Sequence, residues 1–347
     1  MSGRALVVMV YQMVYPRLSA ACVSATHNVG VPLNSFTDLY ADVGRRRAAG
    51  DVDGAVALLR ENVKTFPLHR GVVYLVLAET LVTNGQPKEA LDALQEAFTV
   101  GCRYKSEWLT ADPQLSGITN DPRFIKIVKK VDERYRIEAA AARSDLLVRA
   151  PATDVPSSGR PLLIALHGNN SNARETARYW SSATQDGWVV AIPQSGEIAS
   201  SPDAYLWNDR ARTLAEIAPH IARVKELHKI DSKRIVLAGF SMGGLQAIAL
   251  PFVLGLDVRG VLPIAAWLPS LDELRPIINA LADSRLRAYI VMGEDDPSFG
   301  PAMELAGLLQ KHKATVKLDA RPGVGHEYPA DMETTLSRAL KFLAGPD

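Results

Sequence analysis

The sequence predicts an α/β fold built on a mostly parallel sheet, preceded by an all-helical region. Three observations predict it. From residue 160 onward, short Ile/Val/Leu-rich runs alternate with amphipathic stretches, the pattern of strands covered on both faces by crossover helices. Between residues 36 and 142 no run reads as a strand, and two blocks of sequence repeat one another. Between these parts, Pro151 to Arg160 carries the Pro, Ser and Gly chemistry of turns and linkers. At ~150 residues per domain the chain has room for two such parts.

Composition narrows the function classes. An apolar share of 47% with 22% charged residues is that of a globular chain, which excludes extended disorder. Lys plus Arg number 39 against 38 acidic residues, so the basic surplus of a dedicated nucleic-acid binder is missing. Cys22 and Cys102 form neither a disulfide framework nor a cysteine zinc site and are read as reduced thiols. Ile235 to Leu256 carries no charge, long enough to suggest a membrane span. Gly239, Ser241, Gly243, Gly244, Gln246 and Pro251 instead divide it into strand, turn and helix, so no span is expected. Arg4 followed by the apolar Ala5 to Tyr11 loosely imitates a signal peptide, which Gln12 and Arg17 interrupt. Residues 1–35 are therefore expected to be a poorly ordered lead-in and the chain cytoplasmic, with export the alternative.

The helical region, expected over 36–142, is justified by its repeat. Gly50 and Gly85, Ala55 and Ala90, and Leu59 and Leu94 are each 35 residues apart, and Pro67 closes the first block. Glycine turns the chain and a small alanine lets two helices approach closely. This pattern resembles the tetratricopeptide repeat, although Asn62 stands where the second copy has Ala97. A third helix is expected after Asp121-Pro122, as a cap, and Gly101 to Thr119 as loop. The resemblance implies docking of a protein partner or self-association; helical packing that only orients the catalytic part is the plainer alternative. Arg45 to Arg47 reads as a solvated face.

The α/β region is expected over 143–347. Its strands are read at Leu162–Leu166, Trp188–Ile192, Arg234–Phe240, Gly260–Ile264, Ala288–Met292 and Val316–Asp319, with an edge strand around Ser144–Ala150. Helices are read between them, including Ala211–Leu227 and Pro301–His312.

Chemistry concentrates at the C-terminal ends of these strands. Gly239-Phe-Ser241-Met-Gly243 lies between a strand and an uncharged helix, the context of a nucleophile elbow. A serine needs a base and an orienting acid to become nucleophilic. Asp296 follows the strand-ending Gly293, and His326 sits on the glycine-flanked loop after the next strand. Asp296 is preferred to Asp295, and Pro297 fixes an extended backbone before it. His220 and His228 read as structural or solvated, and His27, His69 and His312 lack catalytic surroundings. His167-Gly168-Asn169-Asn170 ends another strand and should supply an oxyanion N–H, from Asn169 first and Asn170 second, beside that of Met242. His167 is expected to brace this turn.

These residues resemble the α/β-hydrolase superfamily. Pro193-Gln-Ser195, Trp207-Asn-Asp209, the elbow and Ala266-Trp-Leu-Pro269 are similar to phospholipase/carboxylesterase (acyl-thioesterase-like) esterases. Met242 departs from the glutamine common after the nucleophile, and Asn169-Asn170 from a more apolar oxyanion turn; both changes bear on substrate range. The resemblance implies a serine hydrolase acting on a small carboxylic ester or thioester, with Ser241, His326 and Asp296 as triad and no metal or organic cofactor. Trp207, Trp267 and Leu268 are candidate substrate contacts, with core packing the alternative for the two tryptophans. A serine peptidase or amidase on the same fold is the rival enzyme. A helical-repeat scaffold with a binding-only hydrolase domain is the rival from another class.

Overall fold

The structure, a computed structural model, describes residues 35–253, 255–280 and 285–345. Residues 1–34 of the expected lead-in, with its export-like segment, Cys22 and His27, lie outside the described residues. The chain divides into two compact units: residues up to 142 together with 198–204, and residues 143–197 with 205 onward.

The first unit is helical. Ser35 opens the helix Phe36–Ala48 with a capping box, its Oγ accepting the Asp38 N–H at 3.1 Å while the Asp38 carboxylate accepts the Ser35 N–H at 2.9 Å. Val52–Asn62 pairs with it, and Arg70–Thr83 with Pro87–Thr99. The two turns are built alike. Asp51 N–H donates to Arg46 O at 2.9 Å and Gly50 N–H to Arg47 O at 3.2 Å; 35 residues on, Gln86 N–H donates to Leu81 O at 2.8 Å and Gly85 N–H to Val82 O at 3.1 Å. Gly50 (φ +79°) and Gly85 (φ +73°) take the left-handed conformation this ending requires. Ala55, Ala90, Leu59 and Leu94 all face the core. Arg70–Thr83 is buried along most of its length, as its nearly uniform apolar sequence demands.

In the basic triplet, Arg45 and Arg46 pair with Asp42, and Arg47 donates to Gln114. The expected loop over 101–119 holds the short helix Ser106–Thr110 and a 3-10 turn, Pro113–Ile118. One-turn elements show no periodicity; Leu109, Leu115 and Ile118 form them by anchoring in the core. Pro122–Ala141 follows, capped by Asp121. Segment 198–204 completes this unit, an excursion with no signal in its residues. Gly71 N–H donates to Ser201 Oγ at 2.8 Å, Arg103 N–H to Ser200 O at 2.9 Å, and the Arg103 guanidinium to Ala199 O at 3.0 Å and Ser201 O at 3.1 Å.

The second unit is a seven-stranded sheet: β1 (Asp145–Arg149), β2 (Arg160–Leu166), β3 (Val189–Gln194), β6 (Ile230–Phe240), β7 (Gly260–Ile264), β8 (Arg287–Gly293) and β9 (Thr315–Arg321). The spatial order is β1-β3-β2-β6-β7-β8-β9, with β1 antiparallel to β3 and every other pair parallel. Because β1 already belongs to the sheet, the Pro151 to Arg160 stretch, read as a linker, begins as a connection inside this unit and ends in β2. The short β4 (Glu197–Ile198) and β5 (Tyr205–Leu206) form a separate ribbon absent from the sequence reading. Alternate residues serve opposite faces: Leu162, Ile164 and Leu166 pack with helices Arg210–Leu227 and Met242–Val253, while Leu163 and Ala165 pack with Ala173–Trp180 and Met332–Ala344. The uncharged run is divided between β6, a turn and Met242–Val253. Among the described residues no helix is long and apolar enough to cross a membrane.

The connection leaving β2 runs to β3 on one side, and the chain returns at β6 on the other. A crevice therefore opens at the C-terminal ends of β2 and β6, where open α/β sheets place their ligands.

Candidate active site

Ser241 stands at that crevice in a left-handed conformation, φ +54°, which a non-glycine residue adopts only when its surroundings enforce it. They do so through the backbone. Ser241 N–H donates to Ile264 O at 3.1 Å, and Ser241 O accepts from Leu245 N–H at 3.1 Å and Trp267 N–H at 3.0 Å. The elbow glycines are set by contact: a Cβ on Gly239 would lie 2.4 Å from the Gly243 carbonyl, and one on Gly243 would lie 2.4 Å from His167 O.

His326 Nε2 is 2.9 Å from Ser241 Oγ, and its Nδ1 is 2.7 Å from Asp296 Oδ2. The Nδ1–H donates to the carboxylate, which leaves Nε2 to accept from the serine hydroxyl. Asp296 is buried and its second oxygen accepts the Ser298 N–H at 2.8 Å, whereas Asp295 is exposed. The loop carrying His326 rests on the end of β8. Glu294 N–H donates to Arg321 O at 2.9 Å, Asp295 N–H to Val324 O at 3.0 Å, and any Cβ on Gly293 would lie 2.0 Å from Val324 O.

The β2-end turn lies against the elbow, since a Cβ on Gly168 would be 3.5 Å from Ser241 Cβ. Its two asparagines differ. Asn170, φ +56°, donates its backbone N–H to Tyr205 O at 2.9 Å, whereas no acceptor among the described residues takes the N–H of Asn169 or of Met242. Met242 opens the helix Met242–Val253, whose N-terminus adds positive potential at this point. His167 is wholly buried, and burial pushes its pKa down to about 4, so the ring is neutral. Its Nε2 accepts the Ser195 N–H at 3.3 Å and its Nδ1 lies 2.8 Å from Gly168 O, a bracing arrangement.

The three candidate substrate contacts separate. Trp207 and Leu268 are fully buried and offer no surface to a ligand, which corrects their reading as pocket lining. Trp207 packs on the His167 ring at 4.8 Å and its carbonyl accepts from Gln246 at 2.8 Å; Leu268 N–H donates to Ser298 Oγ at 3.0 Å. Only Trp267 is partly exposed, its ring 6.3 Å from that of His326. The sequence reading missed an aromatic stack beside the histidine: Tyr328 lies between Phe240 at 4.2 Å and Tyr179 at 3.7 Å, and burial pushes its hydroxyl pKa up. The Tyr two places after His326 was its signal. Elsewhere, His220 Nε2 lies 2.5 Å from Ser144 Oγ and His312 Nε2 3.1 Å from Asn279 Oδ1, away from this crevice. Among the described residues no three His, Cys, Asp or Glu side chains cluster as metal ligands would.

The chain is similar to several known proteins. Over 114 residues the chain is 36% identical to the bifunctional acetylxylan esterase/xylanase XynS20E of Neocallimastix patriciarum, covering 32% of this chain and 16% of that one. Over 159 residues it is 28% identical to the putative esterase NocK of Nocardia uniformis subsp. tsuyamanensis, covering 41% of this chain and 44% of that one. The chain thus spans less than half the length of either curated relative. An uncharacterized protein from Bacillus cereus ATCC 10987 superposes with a TM-score of 0.50 at 25% identity, over 89% of this chain and 99% of that one. That share exceeds the catalytic unit alone. The model of the dienelactone hydrolase family matches residues 165–339, which run from the end of β2 to the C-terminal helix and contain Ser241, Asp296 and His326. The chain belongs to the dienelactone hydrolase family, on an α/β-hydrolase fold.

Proposed function

We propose that the protein is a serine esterase that cleaves a small carboxylic ester or thioester through an acyl-enzyme on Ser241. The observation that carries this reading is the continuous relay from Ser241 Oγ through His326 to Asp296, at 2.9 Å and 2.7 Å, on a left-handed elbow. His326 Nε2 takes the hydroxyl proton as Ser241 Oγ bonds to the acyl carbon, then returns it to the departing alcohol or thiol. A water molecule repeats the sequence to release the acid. Asp296 stabilises the imidazolium, and the N–H groups of Asn169 and Met242 receive the oxyanion, a pair in which one donor is worth ~3–4 kcal/mol. The names of both curated relatives include an esterase, which supports an ester in preference to a peptide.

For the helical unit we propose a tetratricopeptide-like repeat pair, supported by the recurrence of its turn hydrogen bonds at 35 residues. The activity is tested by turnover of a chain-length series of p-nitrophenyl esters beside a peptide panel. Ester hydrolysis that disappears in Ser241→Ala is expected; turnover of peptides in place of esters contradicts the reading.

A further inference from the structure

The Trp207-Asn208-Asp209 motif takes no part in the triad, yet it is bonded to the turn that carries the proposed oxyanion donor. The side-chain amide of Asn169 is committed at both ends. Its Oδ1 accepts the Trp207 N–H at 2.9 Å and its Nδ2 donates to Asn208 Oδ1 at 2.7 Å. Asn208 is itself held, because Glu197 Oε2 accepts its backbone N–H at 2.8 Å and that of Asp209 at 3.0 Å. Asp209 then caps the helix Arg210–Leu227 by accepting the Arg212 N–H at 3.0 Å, so the acceptor sits at the start of a long, regular element.

We infer that Asn208 is a positioning residue for the oxyanion site, acting through the side chain of Asn169. The backbone of the turn is tied one residue later, where Asn170 N–H and Tyr205 O meet at 2.9 Å and Tyr205 N–H returns to Ser171 O at 3.0 Å. The Asn169 peptide lies between that tie and Gly168, and its own N–H must stay unbonded to serve the substrate. Its orientation is therefore fixed by its side chain. A carboxamide suits the place because it presents an acceptor to Trp207 and a donor to Asn208 at once. An aliphatic side chain would leave both partners without Asn169. A donor held before the charge develops needs no reorganisation during reaction, which is where its catalytic value arises.

This inference rests on the serine-esterase reading, and the experiment separates the two. Wild type, Ser241→Ala, Asn208→Ala, Asn169→Ala and the double alanine variant are compared on a p-nitrophenyl ester. Affinity for a trifluoromethyl ketone, which forms a tetrahedral adduct, is measured alongside. Loss of one oxyanion donor costs ~10²–10³ in kcat, so a misdirected donor should cost ~10–100-fold. The expected result is that fall in each single variant, with KM within about threefold, an equal loss of ketone affinity and a double variant no worse than the weaker single. If Ser241→Ala is inactive but Asn208→Ala keeps wild-type kcat, or if the two alanine effects multiply, the positioning role is wrong and the esterase reading stands. If Ser241→Ala keeps its activity, the reading beneath both fails. Should the alanine variants not fold, Asn208→Leu, similar in size but without an acceptor for Asn169, makes the same test: lowered kcat is expected, and wild-type kcat overturns the role.

Discussion

Asp296 divides its carboxylate between two partners, giving Oδ2 to His326 Nδ1 at 2.7 Å and Oδ1 to the Ser298 N–H at 2.8 Å. The second bond fixes the direction of the first, so the acid holds the imidazole in one orientation and one tautomer. Asp295, adjacent in sequence, is exposed and reaches neither. Asp296→Asn keeps the size but removes the charge, and by analogy with the same change in a protease triad kcat should fall by up to ~10⁴. Asp295→Asn should change kcat by less than about threefold. Steady-state kinetics on one soluble ester decides it; a crippling effect at Asp295 would contradict the assignment.

Two glycines of the second unit predict opposite outcomes. Alanine at Gly243 would bring a Cβ to 2.4 Å from His167 O and force β2 and the elbow apart. Gly243→Ala should cost at least about 2 kcal/mol of stability and lower kcat as well. Gly307, exposed in the helix Phe299–Lys311, has nothing within 4 Å of a built Cβ. Gly307→Ala should raise stability by ~0.5–1 kcal/mol with unchanged kinetics. Denaturant unfolding of the two variants measures both signs.

Buried His167 makes stability depend on pH. Its folded pKa of about 4 lies below the ordinary 6.5, so the unfolded chain binds the proton first as pH falls. The contribution is complete above about pH 6.5 and is lost progressively down to about pH 4, with about 2 kcal/mol gone between pH 7 and 5. Unfolding free energies of wild type and His167→Asn at those two pH values should differ in slope by that amount.

Segment 198–204 belongs to the helical unit through buried bonds, and Arg103 supplies most of them. Arg103→Ala leaves the carbonyls of Ala199 and Ser201 without the guanidinium and should destabilise the helical unit by ~2–4 kcal/mol. Hydrogen exchange over 198–204 should accelerate in the full-length variant. Unchanged protection there would show that the arginine does not hold the segment.

Legibility in the sequence followed the range of the interactions. The elbow is legible because its strand, glycines and serine are consecutive in sequence, although the crowding at Gly243 comes from His167, and β7 has its expected bounds because its run is short, apolar and bounded by a glycine. The register Gly293, Asp296, Pro297 marks the carboxylate that the structure sets 2.7 Å from His326, since the turn is made by neighbours in sequence. The difference between the Asn169 and Asn170 N–H groups is not legible in the sequence, because it depends on Tyr205, 35 residues on from Asn170. Burial of Trp207 and Leu268 was illegible for the same reason: only the folded chain brings His167 and Gln246 to one and Ser298 to the other. The excursion 198–204 carries no hydrophobic period, and its partners Gly71 and Arg103 are about a hundred residues away.

If Ser241 forms the covalent intermediate, peptide mapping by mass spectrometry after treatment of the full-length protein with a fluorophosphonate detects it directly. One adduct is expected, on the peptide containing Ser241, absent in Ser241→Ala and much slower to form in His326→Ala. An adduct on another serine, or ester turnover that persists with Ser241 unlabelled, would contradict it.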